Sequence, residues 1–197
     1  MHPALIVSGL MLILTLAAGC ASPPSRFYTL SSASTAPAPA PVSALSLAVG
    51  PVSVPAAVDR PEIVVSTGAN QVQLDEFNRW ASPLQDEISR VVTENLVTML
   101  GTGQVIQSPP SLSENATYRV SIEVQRFESV PGKHVRLGAV WTLRRKRDGK
   151  STTGRTSVQE EVSGPDYGAL AAAHSRAVAR LSRDIADEVR ALESASR

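Results

Sequence analysis

The chain of 197 residues contains one cysteine, Cys20, whose thiol is its most distinctive reactive group. A lone cysteine cannot form a disulfide within its own chain. After Cys20 the histidines are His134 and His174, which are not at metal-ligand spacing, so no zinc site is expected. Covalent chemistry is therefore expected at Cys20 alone, with no metal and no cofactor.

The sequence before Cys20 indicates how its thiol would be used. Residues 4–18 are mostly apolar and uncharged, too short for a membrane span of roughly 20 residues but typical of a signal peptide. The small residues 17–19 follow, and the pattern resembles the lipobox of bacterial lipoproteins. This resemblance implies a lipoprotein signal peptide over residues 1–19, diacylglycerol on Cys20 and cleavage before it. Ala21, where retained lipoproteins have Asp, implies sorting to the outer membrane. The alternatives are an ordinary secretory leader cut elsewhere and a retained membrane anchor.

The rest of the sequence offers no recognisable catalytic set. It lacks the Gly-x-Ser-x-Gly motif and a P-loop lysine. Glu160 and Glu161 are adjacent on an expected strand, so they point to opposite faces and cannot act as a carboxylate pair. His174 lies on the apolar stripe of an expected helix and is interpreted as a boundary histidine with one hydrogen bond. We predict a protein that is not an enzyme.

Composition argues against nucleic acid as a partner. The chain has 19 basic and 18 acidic residues, and aromatic residues make up only 4% of it. Nucleic-acid binding depends on excess positive charge and on aromatic side chains that stack with bases.

A run of basic residues is the first candidate for partner binding. Arg144, Arg145 and Arg147 lie with Lys146 beside an expected turn at Asp148. One interpretation is a solvated turn that protects a sheet edge. The other is contact with an acidic partner or anionic headgroups.

Aromatic residues near the expected sheet form the second group of candidates. Trp80, with Phe77, precedes the first expected helix and is interpreted as a core or hydrophobic-staple residue, or as an exposed anchor for a partner. Phe27 and Tyr28 lie on a short strand that could join the sheet of the same chain or of a neighbour.

Hydrophobic periodicity predicts the elements that position these residues. Period-two patterns and turn residues predict strands over 26–30, 45–54, 63–67, 72–74, 104–107, 118–125, 135–143 and 155–162. Apolar residues at helical spacing predict one helix with Ser82 as N-cap, ended by Gly101, and another that begins after Asp166.

The order of strands, helix, strands and helix predicts an α+β fold, with a largely antiparallel sheet and two long helices packed on one face. Cys20 and an Ala/Pro-rich tether are expected over residues 20–44 and a single domain over 45–193. Residues 194–197 are expected to be a frayed tail.

Several short segments, in this order and spacing, resemble the PqiC family (paraquat-inducible protein C) of ABC-type transport auxiliary lipoproteins. They are Pro-Ser-Arg-Phe-Tyr-Thr-Leu at 24–30, Val-Gly-Pro-Val-Ser-Val-Pro at 49–55 with Asp-Arg-Pro at 59–61, Phe-Asn-Arg-Trp-Ala at 77–81, and Tyr-Gly-Ala-Leu at 167–170. The resemblance covers nearly all of the mature chain.

The resemblance implies an outer-membrane lipoprotein that faces the periplasm and supports membrane integrity. Its implied partner is an MCE-domain protein that forms a tunnel for lipids, with an ABC transporter or another integral protein at the inner membrane. A homo-oligomeric ring is a further implication. The alternative function is an envelope lipoprotein that itself binds a lipid or hydrophobic solute, which needs an apolar cavity of roughly 300–1,000 Å³.

Overall fold

The computed structural model describes residues 23–33, 45–107 and 115–195. The elements are β1 Arg26–Tyr28, β2 Leu47–Ser53, β3 Glu62–Gly68, β4 Gln71–Trp80, α1 Leu84–Leu100, β5 Val105–Gln107, β6 Tyr118–Val130, β7 His134–Arg145, β8 Ser151–Glu161 and α2 Tyr167–Ser194. The α+β class predicted from the sequence is confirmed. Cys20 and the Ala/Pro-rich residues 34–44 lie outside the described residues.

The larger sheet has five strands in the order β5-β2-β6-β7-β8. Strands β6, β7 and β8 form the antiparallel meander that the alternating pattern predicted, whereas β2 pairs in parallel with both β5 and β6. Helix α1 packs against β2 and β5, α2 packs against β7 and β8, and the helices contact each other. Both helices therefore cover one face of this sheet, and the core lies between them and the strands.

A second sheet of three strands, which the periodicity did not reveal, has the order β1-β4-β3. Strands β3 and β4 form a hairpin from the predicted strands 63–67 and 72–74, but β4 continues to Trp80 instead of ending at Leu74. The register shifts between Glu62 and Ile63, where the carboxylate of Asp75 accepts the N–H groups of Phe77 and Asn78 at 3.0 and 2.9 Å. This bulge interrupts the period-two pattern, and so hides the second half of the strand.

The folded domain includes residues 26–33, which the sequence analysis had assigned to the tether. Strand β1 pairs in parallel with β4. Leu30 is 1% exposed, and its N–H donates to the buried carboxylate of Glu87 at 3.0 Å. The guanidinium of Arg90 donates to Glu87 and to the carbonyl of Leu30 at 2.8 and 2.6 Å. Only the residues before β1 can therefore separate Cys20 from the domain, and residues 34–44 connect two parts of it.

The helix ends follow the expected chemistry with one exception. Asp166 caps α2, since its carboxylate accepts the N–H of Ala169 at 2.8 Å. Gly101 ends α1 in the left-handed conformation, with φ at 65°. The predicted N-cap Ser82 is wrong, because Pro83 occupies that position and no side chain caps α1. In the described part of the chain, neither helix is long and apolar enough to cross a membrane.

Candidate functional site

The turn between β7 and β8 presents a cluster of positive charge. Arg144, Lys146 and Arg147 are exposed, as the sequence analysis expected for a turn. Arg145 is paired within the turn, because its guanidinium donates to both oxygens of Asp148 at 3.0 and 2.5 Å. This hydrogen-bonded pair lowers the pKa of the Asp148 carboxyl to about 2. We call residues 144–150 the basic turn; it offers several cations to an anionic partner.

The basic turn lies at one end of the large sheet, beside the start of β6 and the end of α2. Tyr118 pairs with Arg145, and its hydroxyl donates to the carboxylate of Glu193 at 2.8 Å. The small sheet meets the large one near the other end, where the rings of Trp80 and Phe127 are 6.1 Å apart. A strand of the length of β7 spans about 40 Å. The two ends of the domain are therefore well separated.

The small sheet carries the second candidate surface. Cross-strand partners share a face, so Val64 lies beside Leu74 and Ser66 beside Val72. The opposite face carries Ile63 and Val65, which are buried in the core. Apolar side chains predominate on this outward face, with Ser66 among them, and we call this surface the apolar face.

Phe27 extends the apolar face onto β1. It pairs with Arg79, whose guanidinium forms an ion pair with Glu62 at 2.7 Å on the same side of the sheet. The short strand that carries Phe27 joins the sheet of its own chain, and the Phe27 side chain is 64% exposed. Tyr28 points the other way; it is half-buried, and its hydroxyl donates to Asn78 at 2.8 Å.

The sequence analysis did not single out Val72 and Leu74, which are 61% and 41% exposed. Alternating apolar residues on a strand normally indicate the face that packs on the core. The signal available was that both flanking residues of the hairpin strand are glutamines, Gln71 and Gln73. The strand thus has one polar face and one apolar face. Its sequence pattern alone does not show that the apolar face is buried.

The structure places Trp80 in the core, so its indole cannot serve as an exposed anchor in this conformation. It is 5% exposed and packs edge-on against Phe127 and His174, with ring centroids 6.1 Å apart in each pair. The core interpretation therefore describes Trp80. Phe77 is 37% exposed and remains at the surface.

His174 is fully buried, which corrects the interpretation as a boundary histidine. Its ring stacks on Phe127 with centroids 3.9 Å apart, and Nε2 lies 2.8 Å from Ser129 Oγ. Burial lowers the pKa of the imidazole to about 3. The ring is therefore neutral at physiological pH.

The contact between Ser129 and His174 has the spacing of a nucleophile and its base, but it lacks the rest of a hydrolase site. Nδ1 of His174 has no hydrogen-bond partner among the described residues, so no third group orients the ring. Ser129 is 3% exposed, so a substrate could not reach its hydroxyl. The pair is part of the core.

The clefts adjoining Phe27 are open and partly polar. One of about 450 Å³ is lined by Phe27, Trp80, Pro83 and the arginines Arg60 and Arg79, among others. A second, of about 480 Å³, lies between β1 and the start of α2. Within the described ranges, no group of three or more acidic, histidine or cysteine side chains could hold a metal ion.

Comparison with known proteins gives a family and a fold. The sequence model of the family described as "ABC-type transport auxiliary lipoprotein component" matches residues 28–186. The crystal structure of an uncharacterized protein is 20% identical, with a TM-score of 0.70 over 85% of this chain and 99% of that one. A crystal structure from Xanthomonas campestris is 22% identical, with a TM-score of 0.64 over 81% of this chain and 92% of that one. At these identities the structures establish the fold alone. A search of curated proteins gave no match.

Proposed function

The chain belongs to the family of ABC-type transport auxiliary lipoprotein components, and from that premise we propose that it is a non-catalytic outer-membrane lipoprotein that docks a trans-envelope lipid tunnel of the MCE type. The match over residues 28–186 is the observation that carries this proposal. Membrane integrity would depend on the assembled complex and not on chemistry performed by this chain.

Cys20 supplies the anchor in this proposal. Acylation of the thiol and of the new amino terminus would hold the chain firmly, since two or more acyl chains bind a bilayer far more stably than one. Because β1 starts at Arg26, the tether is six residues long and reaches at most about 20 Å. The domain would thus work close to the membrane surface, with little freedom to drift from it.

The basic turn is the surface that best suits a protein partner. It is largely exposed and carries five basic residues against one acid. It also lies at the end of the large sheet remote from β1, and so from the anchor. An acidic surface at the outer end of the tunnel would be attracted to it, and such complementarity mainly speeds association and fixes orientation.

A lipid-carrier function is not favoured. The cleft next to Phe27 has a volume in the range of ligand sites, but it is open to solvent and includes two guanidinium groups. A carrier needs a dry, largely enclosed cavity to hold an acyl chain.

Crosslinking in intact cells, followed by purification of the lipoprotein, tests the proposal. We expect the native chain to capture an MCE-domain protein. The charge-reversal pair Arg144→Glu and Arg147→Glu should reduce this capture at least about tenfold, since each lost contact is worth on the order of 1 kcal/mol. The matched control reverses Lys133 and Arg183, which are exposed elsewhere.

Native capture without any MCE-domain protein would contradict the proposed partner. Equal loss in the control pair would show that overall charge, and not the basic turn, governs binding. The mass of the detergent-solubilised protein gives the subunit number and tests the ring.

A further inference from the structure

Apolar exposure is concentrated on the small sheet. Among the described residues, five large apolar side chains are strongly exposed, and four of them lie on β1 and β4: Phe27, Val72, Leu74 and Phe77. Scattered apolar residues are ordinary on a protein surface, whereas a contiguous group marks a contact site. Something other than water is therefore expected to cover the apolar face.

The direction of β1 indicates what lies next to it. Strand β1 runs parallel to β4, with Arg26 beside Asn78 and Tyr28 beside Trp80. Traced backwards from Arg26, the chain thus heads towards the start of β4. Cys20 is six residues before Arg26, and Val72 is six residues before Asn78. Because the bulge shortens β4 between these residues, a fully extended tether would bring Cys20 at least as far along the sheet as Val72.

We infer that the apolar face lies on the phospholipid bilayer that holds the acyl chains of Cys20. This inference rests on the lipidation in the proposed function. The side chains of Val72 and Leu74 enter the boundary between headgroups and acyl chains, and Phe27 and Phe77 flank them. The small sheet is then a second membrane contact beside the lipid, and it points the basic turn away from the membrane.

The chemistry of the apolar face suits lipid. Its central ion pair, Arg79 with Glu62, is already neutralised. The hairpin turn at residues 69–70 carries no charge. The carboxylate of Asp75 is occupied by backbone N–H groups of the bulge, which leaves Glu76 as the exposed acid of β4 to remain at headgroup level. Aliphatic side chains need no hydrogen-bond partner in hydrocarbon, so Val72 and Leu74 can enter it without one.

A vesicle assay isolates the contribution of the sheet. The mature chain, from Cys20 onwards, is coupled through its single thiol to one saturated acyl chain, which alone binds a bilayer only marginally. Partition into phosphatidylcholine vesicles is then measured by co-sedimentation. We expect Val72→Asp with Leu74→Asp to lower the partition coefficient about 10- to 100-fold, because two half-exposed aliphatic side chains no longer enter the bilayer.

The matched control is Gln71→Asp with Gln73→Asp, which adds the same charge to exposed positions on the other side of the same strand. It should leave the partition coefficient within about twofold, since the vesicles carry no net charge. Circular dichroism checks that both variants keep the native fold. Equal partition of the Val72/Leu74 variant and the native chain would overturn the inference, and so would equal losses in both variants.

Hydrogen exchange of the native acylated chain gives the position of the contact. Exchange at residues 26–28 and 71–77 of the small sheet should slow on vesicles, whereas exchange in the large sheet should not change. Slowing without vesicles that grows with protein concentration would mean that a second copy covers the face, and would overturn the inference. Because the acyl chain is attached chemically, the result does not depend on lipidation in the cell, which separates failure of this inference from failure of the proposed function.

Discussion

Acid should destabilise the domain because His174 is buried as a neutral ring. Its imidazole has no exposure to water, its Nδ1 has no partner among the described residues, and it stacks on Phe127. Protonation in the folded state would place a charge in this apolar contact with no compensating acid. The unfolded chain takes up the proton freely, and the folded chain does not.

The size of the effect follows from the two pKa values. The ordinary value is 6.5 and burial lowers the pKa in the folded state to about 3. Below pH 6.5 the unfolded state binds more protons, so the free energy of unfolding decreases as pH falls and levels off below the folded pKa. The expected loss between pH 7.5 and pH 5 is about 2 kcal/mol, and about 3 kcal/mol at pH 4. Against a typical stability of about 5–15 kcal/mol, this is readily measurable.

Urea unfolding at pH 7.5 and pH 5, followed by circular dichroism, measures this loss. The reference is the double variant His174→Phe with Ser129→Ala, which removes both hydrogen-bonding partners together and keeps an aromatic ring on Phe127. Asp75 and Asp148 also have lowered pKa values, but their contributions are lost only below about pH 4, outside this window.

The native chain should lose about 2 kcal/mol more than the double variant between the two pH values. Equal losses in both proteins would show that burial of neutral His174 does not cause the acid sensitivity, because His174 would then take up its proton without unfolding.

Two further substitutions test how the domain is held together. Glu87→Ala should lower the free energy of unfolding by about 2 kcal/mol and speed hydrogen exchange at Leu30, because a buried N–H loses its acceptor. As a control, Glu94→Ala at an exposed ion pair should lower it by less than about 0.5 kcal/mol. Similar losses for the two variants would contradict this prediction. Gly154→Val should lower the free energy of unfolding by about 2–4 kcal/mol, since an added Cβ would lie 2.1 Å from the ring of Trp141. A melting temperature equal to that of the native chain would show that the ring moves aside.

The sequence predicted the elements whose buried face follows from the local pattern of apolar residues. Strand β7 and the first half of β6 alternate regularly in burial, and the apolar stripes of both helices face the core. Such periodicity depends only on residues that are close in sequence, so it can be recognised without knowledge of distant contacts.

Pairings between distant segments were not predictable in the same way. The parallel contact of β1 with β4 joins residues about fifty positions apart, and the contact of Leu30 with Glu87 is similar. A strand of three residues has no period to measure. The Ala/Pro-rich residues that follow β1 also suggested a tether, and so moved the expected start of the domain to residue 45.

The candidate surfaces were predicted unevenly for the same reason. The basic turn could be read directly from adjacent charges and from Asp148 with Gly149. The apolar face could not, because Val72 and Leu74 look like core residues until the second sheet is known. The burial of His174 was indicated by its place on the apolar stripe, and Ser129 occupies the next inward position after Phe127 on β6.

The amino-terminal peptide of the native protein, purified from the bacterial envelope and analysed by mass spectrometry, tests the lipoprotein function most directly. We expect a peptide that begins at Cys20 and carries a thioether-linked diacylglycerol with an acylated amine. A chain that begins at another residue, or whose Cys20 bears no fatty acid, would contradict it.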